Sequence, residues 1–208
     1  MKMSSSTPYI NIAFEDILSE AVINRLLSQL WPEAVIYKKF PGRGSGYLKA
    51  RLQAFMKSSK FIPFFVLIDS DNEGCAKKLL DDLVKRTPPS NFILRIAVHE
   101  IESWVLADFN NLIKALNIKS GRCPVNTDTI IQPKEYILNL VRKSASKSIK
   151  KSLLPTKVGG ASQGPGYNSV MVQFVTDKWN ISNASLNSES LNRAVLCLQT
   201  FRKSRLER

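Results

Sequence analysis

Phe61-Ile62-Pro63-Phe64-Phe65-Val66-Leu67-Ile68 is an unbroken apolar run, and Asp69-Ser70-Asp71 follows it directly. A run this long is far short of the roughly 20 residues that span a bilayer. It lacks the alternation of a strand with one wet face. It therefore predicts a strand buried on both sides, the kind found at the centre of a parallel sheet covered by helices. The two carboxylates stand where the chain leaves that strand. In open α/β sheets, sites form outside the carboxyl ends of the strands.

The same pattern repeats on either side. Tyr9–Phe14 reads as a strand, and Glu15-Asp16 follows, with Glu20 one turn later. Phe92–Val98 reads as another strand, and after His99 come Glu100 and Glu102. Helical spacing of apolar residues marks Ser19–Leu30, Tyr47–Lys57, Cys75–Lys85 and Glu102–Leu116. Ala34–Tyr37 is a further short strand. Strand and helix alternate through residue 116, so the fold class is α/β, a mostly parallel sheet flanked by helices. Residues 1–120 form the expected core. Residues 121–208 form an expected helical region, with helices at Lys134–Ser144 behind Pro133, at Ser169–Trp179 and at Ser188–Lys203. Two Gly-rich loops interrupt the chain, Pro41–Gly46 and Gly159–Asn168.

Charge separates along the chain. The whole sequence has 30 Lys+Arg and 17 Asp+Glu, a net of +13. Residues 1–140 carry 18 basic and 14 acidic side chains, a net of +4, and residues 141–208 carry 12 and 3, a net of +9. A surface this basic implies a polyanionic partner, most often nucleic acid. Candidate contacts are Arg43 and Lys49 around the first Gly-rich loop, and Lys147, Lys150, Lys151 and Lys157 in the basic stretch. Tyr167 and Asn168 join them where Gly164-Pro-Gly-Tyr-Asn168 could let a phosphate backbone approach.

In this basic protein eight acidic residues gather in three clusters: Glu15, Asp16 and Glu20; Asp69, Asp71 and Glu73; Glu100 and Glu102. Carboxylate oxygens in that number suit Mg²⁺ or Mn²⁺. A phosphodiester is anionic, and metal ions neutralise it and activate a bound water. A nearby cation supports the developing charge, and Lys134, Arg43 and Lys49 are candidates. Asp16 also suits the N-cap of the following helix. His99 suits a local hydrogen-bonding role, and Trp104 and Trp179 suit the core. The sequence offers no transmembrane run and no signal-peptide core, so a cytoplasmic protein without a membrane partner is expected.

The ordered acids resemble those of the Toprim domain: a strand ending in Glu15, then one ending in Asp69-x-Asp71, in a βαβ layout. His99-Glu-Ile-Glu-Ser-Trp-Val-Leu-Ala-Asp108, Glu15-Asp-x-x-Ser-Glu20, Gly44-Ser-Gly-Tyr-Leu-Lys49 and Gly164-Pro-Gly-Tyr-Asn168 resemble segments of small bacterial Toprim-like proteins. The resemblance is closest to OLD-family nucleases. It implies a metal-dependent nuclease acting on DNA or RNA in bacterial defence, with Mg²⁺ or Mn²⁺ as cofactor. It also implies a separate ATPase partner, and a homodimer is compatible with the helical C-terminal region. Glu15 (or Asp16, spaced four before Glu20), Asp69, Asp71 and Glu100 or Glu102 take the ligand and catalytic positions, with Lys134 beside them. The Asp-Gly that commonly follows Asp-x-Asp in topoisomerases and primases is absent, as is a Gly-x-x-x-x-Gly-Lys-Ser/Thr motif. The competing expectation is a nucleic-acid-binding or partner-regulating module without catalysis.

Overall fold

Phe64–Asp69 is strand β3 of a four-stranded sheet in a computed structural model that describes residues 7–42, 44–71, 73, 76–84, 87–155 and 162–207. The elements are β1 (Tyr9–Phe14), α1 (Ile17–Leu30), β2 (Val35–Pro41), α2 (Ser45–Ser58), β3, α3 (Ala76–Leu83), β4 (Phe92–Ala97), α4 (Glu102–Ala107), α5 (Phe109–Ala115), α6 (Pro133–Ser144), α7 (Lys147–Leu153), α8 (Tyr167–Asp177), α9 (Ile181–Ser185) and α10 (Glu189–Leu206). A single 3-10 turn spans Thr127–Thr129. Strand order is β2-β1-β3-β4, and the sheet is all parallel. The bonds from Phe64 N to the Asn91 carbonyl and from Ser70 N to the Ala97 carbonyl keep one offset along β3 and β4, as parallel neighbours require. The order reverses between β1 and β3. That is the switch point at which open parallel sheets place their sites.

Two compact units emerge. The first draws its described residues from Met1–Ile68, Cys75–Ile96 and Ala194–Arg208. It holds nearly the whole sheet, α1 to α3 and the second half of α10. Phe64, Val66 and Ile68 of β3 meet Leu48, Leu52, Phe55 and Met56 of α2. Phe55 stacks on Phe64 at 5.1 Å, with Phe40 tilted against both. Phe65 and Leu67 point the other way and are buried too, so β3 is covered on both faces. Trp31, at the end of α1, lies edge-on to Phe201 of α10 at 5.5 Å. Arg202 ties to the Leu30 carbonyl and to Glu33. The Glu33 carboxyl is held below the usual carboxylate range, chiefly by its own backbone N–H and then by Arg202.

The second unit draws on Asp69–Gly74 and Ala97–Arg193, so the expected division at residue 120 falls inside it. Its centre is α4, buried at every position. Trp104, Tyr167 and Trp179 are fully buried. Trp104 donates to Ser190 Oγ at 2.7 Å, and Trp179 donates to the Trp104 carbonyl at 3.2 Å. Asp128 accepts from Ser188 Oγ and Ser190 N, both at 2.7 Å, which fastens the start of α10.

Three expectations change. The helix expected over Glu102–Leu116 breaks at Asp108 (φ −88°, ψ 55°). There the carboxylate accepts from Asn111 and from Asn180 N, a local alternative to helical bonding. The central strand starts at Phe64 and not at Phe61. Phe61 closes a turn after α2 and is 89% exposed. The basic stretch contains helix α7, capped by Ser146. Among the described residues no helix is long and apolar enough to cross a membrane.

Candidate active site

The second unit gathers the acids of β3 and β4. Beyond Asp69 and Ala97 the two strand ends are stitched together. Ser70 N donates to the Ala97 carbonyl, and Asp71 N donates to the His99 carbonyl, both at 2.9 Å. His99 N donates to Ser70 Oγ at 2.9 Å. The His99 ring lies with Nδ1 3.2 Å from the Asp71 carbonyl, an oxygen that can only accept. Asp71 (φ 49°) and His99 (φ 60°) both adopt the left-handed region. Non-glycine residues enter it at a cost, and such residues cluster at working sites. Ser70 is the residue that the sequence reading missed. It is the spacer of Asp-x-Asp, and its buried hydroxyl holds the two strand ends in register.

Glu100 follows, half-buried. Its Oε2 accepts from the amide of Lys134 at 3.1 Å, where Lys134 opens α6 behind Pro133. A carboxylate at a helix N-terminus is favourably placed. Glu102 lies two residues on, at the start of α4, with its side chain only 3% exposed. Its Oε1 is 3.2 Å from Lys134 Nζ and accepts from the Tyr167 hydroxyl at 3.3 Å. Lys134 Nζ also lies 6.0 Å from the centre of the Tyr167 ring. Thus Glu100, Glu102, Lys134 and Tyr167 form one cluster, and the Lys134 side chain stays 30% exposed.

The first unit holds the remaining acids, and each has a local setting. Asp16 is the N-cap of α1, its Oδ1 accepting from Ser19 N at 2.8 Å. Glu20 pairs with Lys39 at 2.7 Å. Glu15 is half-buried directly after β1. Gly42 packs there, donating to the Phe14 carbonyl at 2.6 Å. A Cβ on Gly42 would meet that oxygen at 3.1 Å. Among the described residues no group of three or more His, Cys, Asp or Glu side chains is placed to hold a metal ion.

The basic candidates divide. Lys147 and Lys151 are exposed on α7, Lys150 is half-buried there, and Lys49 is half-buried on α2. Asn168 is exposed and accepts from Gln163. Tyr167 is corrected: it is fully buried and donates to Glu102, so its ring is no surface for a nucleic acid. Its two neighbouring glycines serve chain-on-chain packing. Gly164 N and Gly166 N donate to the carbonyls of Leu153 and Ser152, and a Cβ on Gly164 would lie 2.4 Å from the Ser152 oxygen. Arg43 and Lys157 lie outside the described residues.

An all-parallel α/β sheet with acids after its strand ends defines the class. A family model described as a domain of unknown function (DUF4276) matches residues 15–162. That is well over half of the chain, and the chain belongs to this family. The matched span includes all three acidic clusters and Lys134 and stops short of Tyr167. No curated protein and no solved structure matches the chain.

Proposed function

We propose that the protein is a nuclease that hydrolyses phosphodiester bonds in DNA or RNA and depends on Mg²⁺ or Mn²⁺. The observation that carries this reading is the Lys134 ammonium, held 3.2 Å from buried Glu102 beside Glu100. Burying a carboxylate this deeply is costly unless it is paired and hydrogen-bonded. Here the arrangement fixes a partly exposed cation next to the two acids that follow β4, the kind of environment that marks working sites.

Asp69, Asp71 and Glu100, all in the second unit, are the residues that would hold the ion. The donors fit in kind, being carboxylate oxygens. They do not fit in number, because no three are gathered among the described residues. The chemistry such an ion would supply is charge neutralisation at the phosphate and a more acidic bound water. Lys134 orients toward the anionic phosphate and offsets charge on its oxygens. Glu102 and Tyr167 hold Lys134 in position and take no part as ligands.

The test is a cleavage assay on plasmid, linear duplex, single strands and tRNA, with EDTA, Mg²⁺ or Mn²⁺. Cleavage is expected with metal alone. Asp69→Asn and Asp71→Asn are expected to abolish it while binding survives. Undiminished cleavage by both variants overturns the reading. The net charge of +9 over residues 141–208 favours a second reading, a binding module without catalysis. That reading expects salt-sensitive binding and no metal-dependent product.

A further inference from the structure

The edge strand β2 carries aromatic rings that the core does not use. Its register against β1 runs Tyr9↔Val35, Ile10↔Ile36, then Asn11↔Lys38, so Tyr37 is the extra residue of a β-bulge. A bulge re-aims a side chain. Tyr37 is 52% exposed and meets Tyr9, 47% exposed, edge-on at 5.8 Å. The Lys38 ammonium sits 5.5 Å from the centre of the Tyr37 ring. Beyond the end of β2, Tyr47 stands in the first turn of α2 at 38% exposure, with the Arg51 guanidinium 5.2 Å from its ring. Lys49 stands between them in sequence.

A bulge, lysines and a terminal proline are the devices that keep an edge strand from pairing with another chain. β2 has all three, in Tyr37, Lys38 with Lys39, and Pro41. None of them calls for exposed tyrosines. Aromatic faces alternating with cations are instead what a single-stranded nucleic acid meets, its bases stacking and its phosphates paired. A duplex keeps its bases stacked on one another and offers no free face.

We propose that Tyr9 and Tyr37, with Lys38, form a stacking platform for single-stranded nucleic acid at the bulge of β2, with Tyr47 and Arg51 a second aromatic–cation pair on α2. This rests on the nucleic-acid half of the reading above and narrows it to single strands. The charge is complementary, in a chain of net +13.

The experiment is fluorescence anisotropy of a fluorescein-labelled oligothymidylate in EDTA, against its duplex with oligodeoxyadenylate. The native protein is expected to bind the single strand more tightly. Tyr37→Ala is expected to weaken the single strand about tenfold and leave the duplex unchanged, while Tyr37→Phe, which keeps the ring, binds like the native protein. Equal affinity for both forms, or no loss in Tyr37→Ala and Tyr9→Ala, overturns the platform. The metal-dependent cleavage assay scores the nuclease reading separately. Loss of single-strand preference with cleavage intact sinks the platform alone. Platform binding without cleavage sinks catalysis alone.

Discussion

At Glu102 one carboxylate serves two partners: the Lys134 ammonium and the Tyr167 hydroxyl. Their loss differs in kind. Tyr167→Phe removes a donor to a charged acceptor and is expected to cost about 1.5 kcal/mol. Glu102→Ala strands a partly buried ammonium and a buried hydroxyl together and is expected to cost about 3 kcal/mol, as removing one member of a buried pair does. Urea midpoints measured for both variants check the order. A Glu102→Ala loss no larger than that of Tyr167→Phe would show that the pair adds nothing beyond the hydroxyl bond. Glu102 was legible as an acid after a strand. That it anchors Lys134 was not, because the two lie 32 positions apart in the chain. Asp16 was readable either way, and the bond from Ser19 N shows it capping α1.

Among elements, glycines separate close packing from mere loop. Gly164 and Gly166 lie against the end of α7, and a Cβ at Gly164 would fall 2.4 to 2.6 Å from the backbone of Ser152, Leu153 and Leu154. Backbone cannot swing aside as a side chain can. Gly164→Ala is therefore expected to destabilise by about 2 kcal/mol or more. Gly46, in the first turn of α2, has nothing within 4 Å of its added Cβ. Gly46→Ala is expected to stabilise by about 0.5 kcal/mol, since alanine suits a helix better than glycine. Thermal melts of the two variants should move in opposite directions. In sequence both loops read as Gly-rich breaks, and the second as one that a phosphate backbone approaches, whereas Gly164 and Gly166 pack on the chain at Ser152–Leu154. Strand β3 was legible for the opposite reason, since a strand buried on both faces is continuously apolar, and β1 and β4 were legible although each carries one polar residue, Asn11 and Arg95. The division of Glu102–Leu116 into α4 and α5 was not, because Asp108 acts through Asn180, far along the chain.

For the whole molecule, the chain passes between the two units four times, after Ile68, Gly74, Ile96 and Arg193. Neither unit is a continuous stretch, so one cannot unravel far without pulling on the other. The three tryptophans report separately: Trp31 in the first unit, Trp104 and Trp179 in the second. Phe201→Ala in the first unit removes the partner of Trp31 and is expected to cost about 3 kcal/mol. In a Trp31→Phe background only the second unit's indoles fluoresce. Their urea midpoint is expected to fall with Phe201→Ala as well. An unmoved midpoint would mean that the units unfold independently.

The sharing of α10 has a consequence for how the protein is made. Its second half closes the unit whose strands stand first in the chain, with Phe201 and Arg202 set against residues near position 31. Domains generally form from the N-terminus as they leave the ribosome. Here the earliest segment finishes last. While the ribosome adds the long stretch in between, the surface around Trp31 stays greasy and uncovered. That patch is closed by the arrival of a single helix.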